Sequence, residues 1–258
     1  MKVLFDGTRI PIKTWCPEIE DGALTQAKNL ANLPFTFRHV ALMPDCHQGY
    51  GMPIGGVIAT KGVVIPNAVG VDIGCGMRAI RTSIKTEDLG SEKTLKEIMG
   101  KIRKKIPVGF NHRNSFDLDS IFHTNEYEDF DNAFEYGLIP VVREQLDKKL
   151  AMNQIGTLGG GNHFIEIQKA DDGFVWVMIH SGSRNLGKVV ADYYNKIAVE
   201  LNSKWHSSVP KEYDLAFLPL DSEEGKIYMS EMNFCVKFAK LNRAMMMEDI
   251  KNCFSSCV

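Results

Sequence analysis

Charge imbalance is missing from this sequence. Its 30 Lys and Arg meet 32 Asp and Glu, leaving a formal net charge of -2 over 258 residues. Such a balance carries no broad electropositive field, so contact with nucleic acid has to come from a local patch. Long apolar runs are missing too. None approaches the roughly 18 residues needed to span a bilayer. Met1-Lys2-Val3-Leu4-Phe5-Asp6 meets charge before the apolar core of a signal peptide can form. The expectation is a soluble, cytoplasmic protein with no membrane association. A disulfide framework is also lacking. The six cysteines, at 16, 46, 75, 235, 253 and 257, are scattered through a chain too large to need one. Cys253 and Cys257, four apart with no histidine beside them, do not read as a metal site. Internal repeats, low-complexity tracts and a linker-like break in composition are absent. With 44% hydrophobic and 24% charged residues, the chain can bury a sizeable core. One compact domain over residues 1–258 is expected.

Glycine is what the sequence does have, and it comes in clusters. The first runs from Pro44-Asp45-Cys46-His47-Gln48-Gly49 through Pro53-Ile54-Gly55-Gly56-Val57 to Asp72-Ile73-Gly74-Cys75-Gly76-Met77. So much glycine suits backbone brought close to a ligand or to another segment. Asp72 and Cys75 put a carboxylate and a thiol three residues apart in a loop able to turn tightly. Asp45 and His47 alternate in an extended segment and point to one face, as supporting candidates. The second cluster, Gly156-Thr157-Leu158-Gly159-Gly160-Gly161-Asn162-His163-Phe164-Ile165-Glu166-Ile167, leads into a strand. Strict alternation there sets His163 opposite Asn162 and Glu166 unless a bulge re-aims them. It lacks the Gly-Lys-Ser/Thr ending of a Walker loop. The third, His180-Ser181-Gly182-Ser183-Arg184, follows the β-rich run Phe174–Ile179.

Asp72, Cys75, His163 and His180 make a mixed oxygen, sulfur and nitrogen set. The expectation is that they converge on one divalent transition metal, zinc by ligand softness alone. Arg184, Asn162 and the N–H groups of Gly159–Gly161 are candidates for anion contacts. A metal beside phosphate binders suggests phosphoryl or nucleotidyl transfer, or metal-assisted phosphoester hydrolysis.

The rest reads as scaffold. Short strands are expected at residues 2–5, 40–43 (ending at Pro44), 63–65 and 69–71. Helices are expected at 18–32, 91–102, 129–150, 189–203 and 221–252, with a polar loop over 107–125. Ser91 reads as an N-cap. Lys101-Ile102-Arg103-Lys104-Lys105 is the best basic cluster and the candidate RNA contact. The Met-rich face of the last helix reads as core. The expected fold class is α+β, with a β-rich core of Gly-rich strand–loop segments and helices packed around it.

Taken together, Met43–Gly49, Pro53–Val57, Val69–Met77, Gly156–Glu166 and His180–Arg184 resemble, in order, the motifs of the RtcB-type tRNA-splicing RNA ligases. The resemblance implies GTP and two manganese ions as cofactors. It implies that Cys75 bridges the two ions, with Asp72 on one and His163 and His180 on the other. Asn162 and Glu166 become GTP-site residues, and Arg184 a contact to an RNA or nucleotide phosphate. Such ligases join RNA ends bearing a 2′,3′-cyclic phosphate or 3′-phosphate to 5′-hydroxyl ends, through GMP carried on a histidine. Their partners are tRNA halves or broken RNA, and commonly archease.

The resemblance also marks a departure. Family members are longer, and the histidine that carries GMP, with a further manganese ligand, lies downstream of the segments matched here. His206 is the only histidine after His180, and Lys204-Trp205-His206-Ser207-Ser208 matches neither motif. No nucleophile is assigned. The expectation is a C-terminally incomplete ligase domain, inactive as this chain alone: a truncated or split piece, with a complementary C-terminal polypeptide as candidate partner, or else a shortened relative that has lost guanylylation. The alternatives are a non-catalytic metal- and RNA-binding module and a metal-dependent cyclic phosphodiesterase.

Overall fold

The structure, a computed structural model, describes every residue except 5, 6, 90, 115–127, 129–131, 133–138, 146, 147 and 258. The described strands are β1 (Lys2–Leu4), β2 (Ile12–Thr14), β3 (Thr36–His47), β4 (Ile54–Thr60), β5 (Val63–Val64), β6 (Gly76–Lys85), β7 (Phe164–Lys169), β8 (Phe174–Ser181) and β9 (Leu218–Pro219). The helices are α1 (Asp21–Asn32), α2 (Pro66–Val69), α3 (Glu92–Lys105), α4 (Pro140–Gln145), α5 (Lys148–Gln154), α6 (Asn185–Lys204) and α7 (Glu223–Ser255). This mixture of sheets and helices is the α+β class expected. Contacts group the chain into two units: Met1–Val71 with Ala191–Met229, and Asp72–Val190 with Ser230–Val258.

In the first unit, four strands pair in the order β1-β2-β3-β4. The β2–β3 pair is parallel, and α1 lies between these two strands in sequence. Ala23, Ala27, Leu30 and Ala31, at helical spacing, give α1 one buried face. That face joins Ile12, Val40 and Leu42 in a core. The helix stops at Leu33, which is extended (ψ 137°) ahead of Pro34, as the residue before a proline must be.

Two local expectations are corrected here. The strand expected to stop at Pro44 continues to His47, with a register shift between Leu42 and His47 that accommodates the missing N–H of proline. Residues 69–71, expected as strand, instead finish and follow a single helical turn whose last residue is Val69. Pro66 opens that turn at N1 and Gly70, at φ 92°, ends it.

The second unit is built on the antiparallel sheet β6-β8-β7. Val175, Val177 and Ile179 alternate along β8 and are buried. They pack with Ile98, Ile102 and Ile106 at and just after α3, and with Met246, Met247 and Ile250 of α7. Each such side chain contributes roughly 1.5–3 kcal/mol by leaving water. The Met-rich face is therefore core, as expected. Ser91 sits at the N-cap of α3 but makes no side-chain cap bond. Of the expected helix over 129–150, α4 and α5 cover part; most of 129–139, and residues 115–125 of the expected loop, lie outside the described residues. No described helix is long and apolar enough to cross a membrane.

Candidate metal centre

The second unit begins with a turn. The Cys75 N–H donates to the Asp72 carbonyl at 3.0 Å. Gly74 takes φ 83°, a sign that only glycine adopts freely in such a turn. Directly afterwards β6 begins, and its register against β8 pairs Met77 with His180. On the other side, Phe164 at the start of β7 also pairs with His180. One rung of the sheet therefore sets His180 between two strand starts. Cys75 lies two residues before one of them, and His163 one residue before the other.

The four predicted residues meet there. Cys75 Sγ is 3.0 Å from His180 Nε2 and 3.7 Å from His163 Nε2. His163 Nε2 is 2.9 Å from Asp72 Oδ2. Asp72, Cys75 and His163 each offer a ligand atom, all within 4.8 Å of one another, the one such group among the described residues. The strand starts only at Phe164, so the alternation argument that isolated His163 does not govern it; its ring lies 5.7 Å from that of His180.

The chemistry of this set suits a cation. His163 Nδ1 donates to the Leu158 carbonyl at 3.0 Å. In the neutral ring that leaves a lone pair on Nε2, facing the Asp72 carboxylate. Two acceptors 2.9 Å apart call for a proton or a metal ion between them. Cys75 is exposed as a residue, but partial burial of its sulfur pushes the thiol up to about 12, and the Asp72 carboxylate adds to the rise, with Arg243 opposing it. Burial and the neighbouring His163 lower the pKa of His180. Oxygen, sulfur and two imidazole donors, with one histidine held in the ligating tautomer, fit a divalent transition metal.

The anion candidates divide. Gly159 takes φ 89°, and a Cβ there would overlap the Arg184 guanidinium and sit 3.0 Å from His163 Nδ1. Arg184, itself left-handed at φ 62°, donates to Thr157 Oγ1 at 3.0 Å and to the Gly109 carbonyl at 2.7 Å. Burial lowers its pKa, while Asp72 opposes the change. Arg184 thus backs the glycine loop next to His163. Asn162 and Glu166 are exposed at the start of β7, and Glu166 accepts from Gln168 at 2.6 Å. Asp45 and His47 belong to β3 of the first unit. They are exposed on either side of buried Cys46, and His47 Nδ1 donates to the Asp45 carbonyl at 2.8 Å. In the basic cluster, Arg103 and Lys104 are exposed, and Lys105 lies 3.7 Å from Asp249.

Sequence reasoning passed over Asn242. It is fully buried in α7, accepts the Thr157 N–H at 3.0 Å and donates to the carbonyls of Thr157 and Gly182, both at 3.1 Å. A polar Asn-Arg pair inside the apolar run Leu241–Met247 was the available signal, since buried polar groups need partners.

Comparison with known proteins identifies the family. The family model described as tRNA-splicing ligase RtcB matches residues 26–258. RNA-splicing ligase RtcB of Escherichia coli (strain K12) is 34% identical over 257 residues, which cover 95% of this chain and 61% of that protein. tRNA-splicing ligase RtcB of Thermococcus kodakarensis is 34% identical over 271 residues, covering 91% and 56%. The homonymous protein of Methanococcus maripaludis is 31% identical over 292 residues, covering 97% and 60%. The chain thus spans a little under two thirds of the length of these relatives. On the family match over residues 26–258, the chain belongs to the RtcB family of tRNA-splicing ligases.

Proposed function

We propose that this chain supplies the metal-binding part of an RNA ligase that joins 2′,3′-cyclic phosphate or 3′-phosphate RNA ends to 5′-hydroxyl ends, with GTP and manganese as cofactors. The observation that carries the reading is the convergence of Asp72, Cys75, His163 and His180 on one centre. Family membership supports the RNA substrate. A divalent ion held by these four residues would polarise a phosphate oxygen and offset the charge that builds on it during transfer.

The chain's own residues do the remaining work in this proposal. The Leu158 carbonyl holds the proton on His163 Nδ1, so Nε2 stays available as a donor. The Arg184 guanidinium and the N–H groups of Gly159–Gly161 form the phosphate-facing wall. Asn162 and Glu166, exposed beside His163, contact the guanine nucleotide. Arg103 and Lys104 lend a basic edge for RNA. No histidine of these 258 residues is assigned as the carrier of GMP. Archease is the helper protein this reading implies.

Metal counting and nucleotide labelling test the proposal. The purified chain should bind one manganese ion tightly through Cys75, His163 and His180, and a second weakly. It should form no covalent GMP adduct with GTP and manganese. Two tightly held ions, or a labelled adduct, would overturn the division of labour. Failure to bind any divalent ion would overturn the centre itself. Opening of a 2′,3′-cyclic phosphate by this chain without ligation would favour the phosphodiesterase reading.

A further inference from the structure

Arg243 lies on α7, next to the buried Asn242. Its Nη1 donates to two carbonyls at once, Gly74 at 2.8 Å and Ser181 at 2.7 Å. Gly74 immediately precedes Cys75, and Ser181 immediately follows His180. The two protons of one guanidinium nitrogen therefore join the backbone on either side of the Cys75–His180 contact. A Cβ on Gly76 would lie 3.5 Å from Arg243 Nη2, so the guanidinium also runs close beneath the start of β6.

Asn242 anchors the same helix to the remaining segments. Besides Thr157 and Gly182, it donates to Ser181 Oγ at 3.2 Å. Ser181 Oγ in turn donates to the Leu158 carbonyl at 2.8 Å, the carbonyl that also holds His163 Nδ1. Two adjacent residues of one helix thus reach the turn before Cys75, the loop before His163 and the strand end after His180.

We propose that Arg243 is a positioning residue that sets the separation of Cys75 from His180. The planar guanidinium holds both carbonyls in one geometry, which an ammonium on a flexible stem does not reproduce. A group that only capped spare carbonyls would affect stability alone. Arg243 instead acts on the ligand atoms, through the residues that flank them. The inference rests on the metal-centre reading above, and its test separates the two.

The test uses the full chain with Co2+ as the probe, in wild type, Arg243→Lys and Arg243→Met. The readouts are the dissociation constant, the thiolate-to-cobalt absorption band, the metal-free melting temperature, and the metal-free NMR signals of the His180 ring. Arg243→Lys should stay folded, weaken Co2+ binding about tenfold, as changes just outside a ligand shell do, and shift the band. Arg243→Met should weaken binding further. In metal-free Arg243→Lys, the His180 ring signals should move while those of His39, in the first unit, stay in place. An unchanged dissociation constant and band in folded Arg243→Lys would overturn the inference. So would unmoved His180 signals, or a Lys variant that fails to fold, since that outcome assigns Arg243 to the core. A wild-type chain without the cobalt band would refute the metal reading, leaving the His180 signals to decide the positioning role.

Discussion

The Sγ of Cys75 lies 3.0 Å from Nε2 of His180, although 105 residues separate them in the chain. The pairing of Met77 with His180 brings them together, and α7 secures both sides. A contact built from a sheet register and a helix clamp is pre-organised. The fold itself holds it, which is what a tight site requires.

Metal binding should therefore stabilise the folded chain. Manganese at about 100 times its dissociation constant should add about 2.7 kcal/mol by mass action. A thermal melt with and without manganese measures this, and a chelator should reverse it. Cys75→Ser should leave the metal-free melt almost unchanged, because Cys75 is exposed. It should weaken binding by more than about 100-fold, beyond the ~10–100-fold typical of changes outside the ligand shell. A Ser variant with the full manganese shift would remove Cys75 from the site.

Gly159→Ala should disturb metal binding from a position that carries no ligand atom. The new methyl meets the Arg184 guanidinium and His163 Nδ1, and φ 89° disfavours any side chain. The backbone cost is of order 1–3 kcal/mol. Melting temperature and manganese affinity should fall together. Gly173→Ala, also at positive φ but with nothing within 4 Å, should lower the melting temperature alone.

The ion pair of Arg113 with Asp249 should prove structural. Asp249 is 4% exposed, and Arg113 also donates to the carbonyls of Ile155 at 3.0 Å and Gly156 at 2.8 Å. Asp249→Ala leaves a buried cation without its partner and should cost about 3–5 kcal/mol. The double variant Arg113→Met with Asp249→Leu should recover part of that loss. Urea unfolding of wild type, Arg113→Met, Asp249→Leu and their double variant supplies the cycle, and additive losses would show that the two residues do not couple.

Ile98→Ala should cost about 2–5 kcal/mol, because Ile98 is 0% exposed against β8 and α7. Met77→Ala, at 49% exposed, should change stability by less than about 0.5 kcal/mol. Equal losses in denaturant would mean that the core is not where these burials put it.

The sequence by itself determined the members of the site and most of the elements. Glycine before a strand, and a thiol or imidazole at its edge, are local signals. Cys75, His163 and His180 could each be read from a short window. Helix α1 was legible for the same reason, since its buried stripe recurs every three or four residues. What sequence could not show was which groups face one another. Residue type and motif led to the expectation that Asp72, Cys75, His163 and His180 converge, but alternation, which separated His163 from Asn162 and Glu166, did not show which of their atoms would touch. The strand begins at Phe164, two residues later than the pattern from Asn162 suggested, and the sheet register decides the rest. Asn242 and Arg243 were hidden because a buried polar residue on a helix is defined only by what it bonds to, and their partners lie 60 to 169 residues away. Chemistry is carried by residue type, which any window of sequence displays. Convergence depends on pairing and packing between distant segments, and only the tertiary structure decided that.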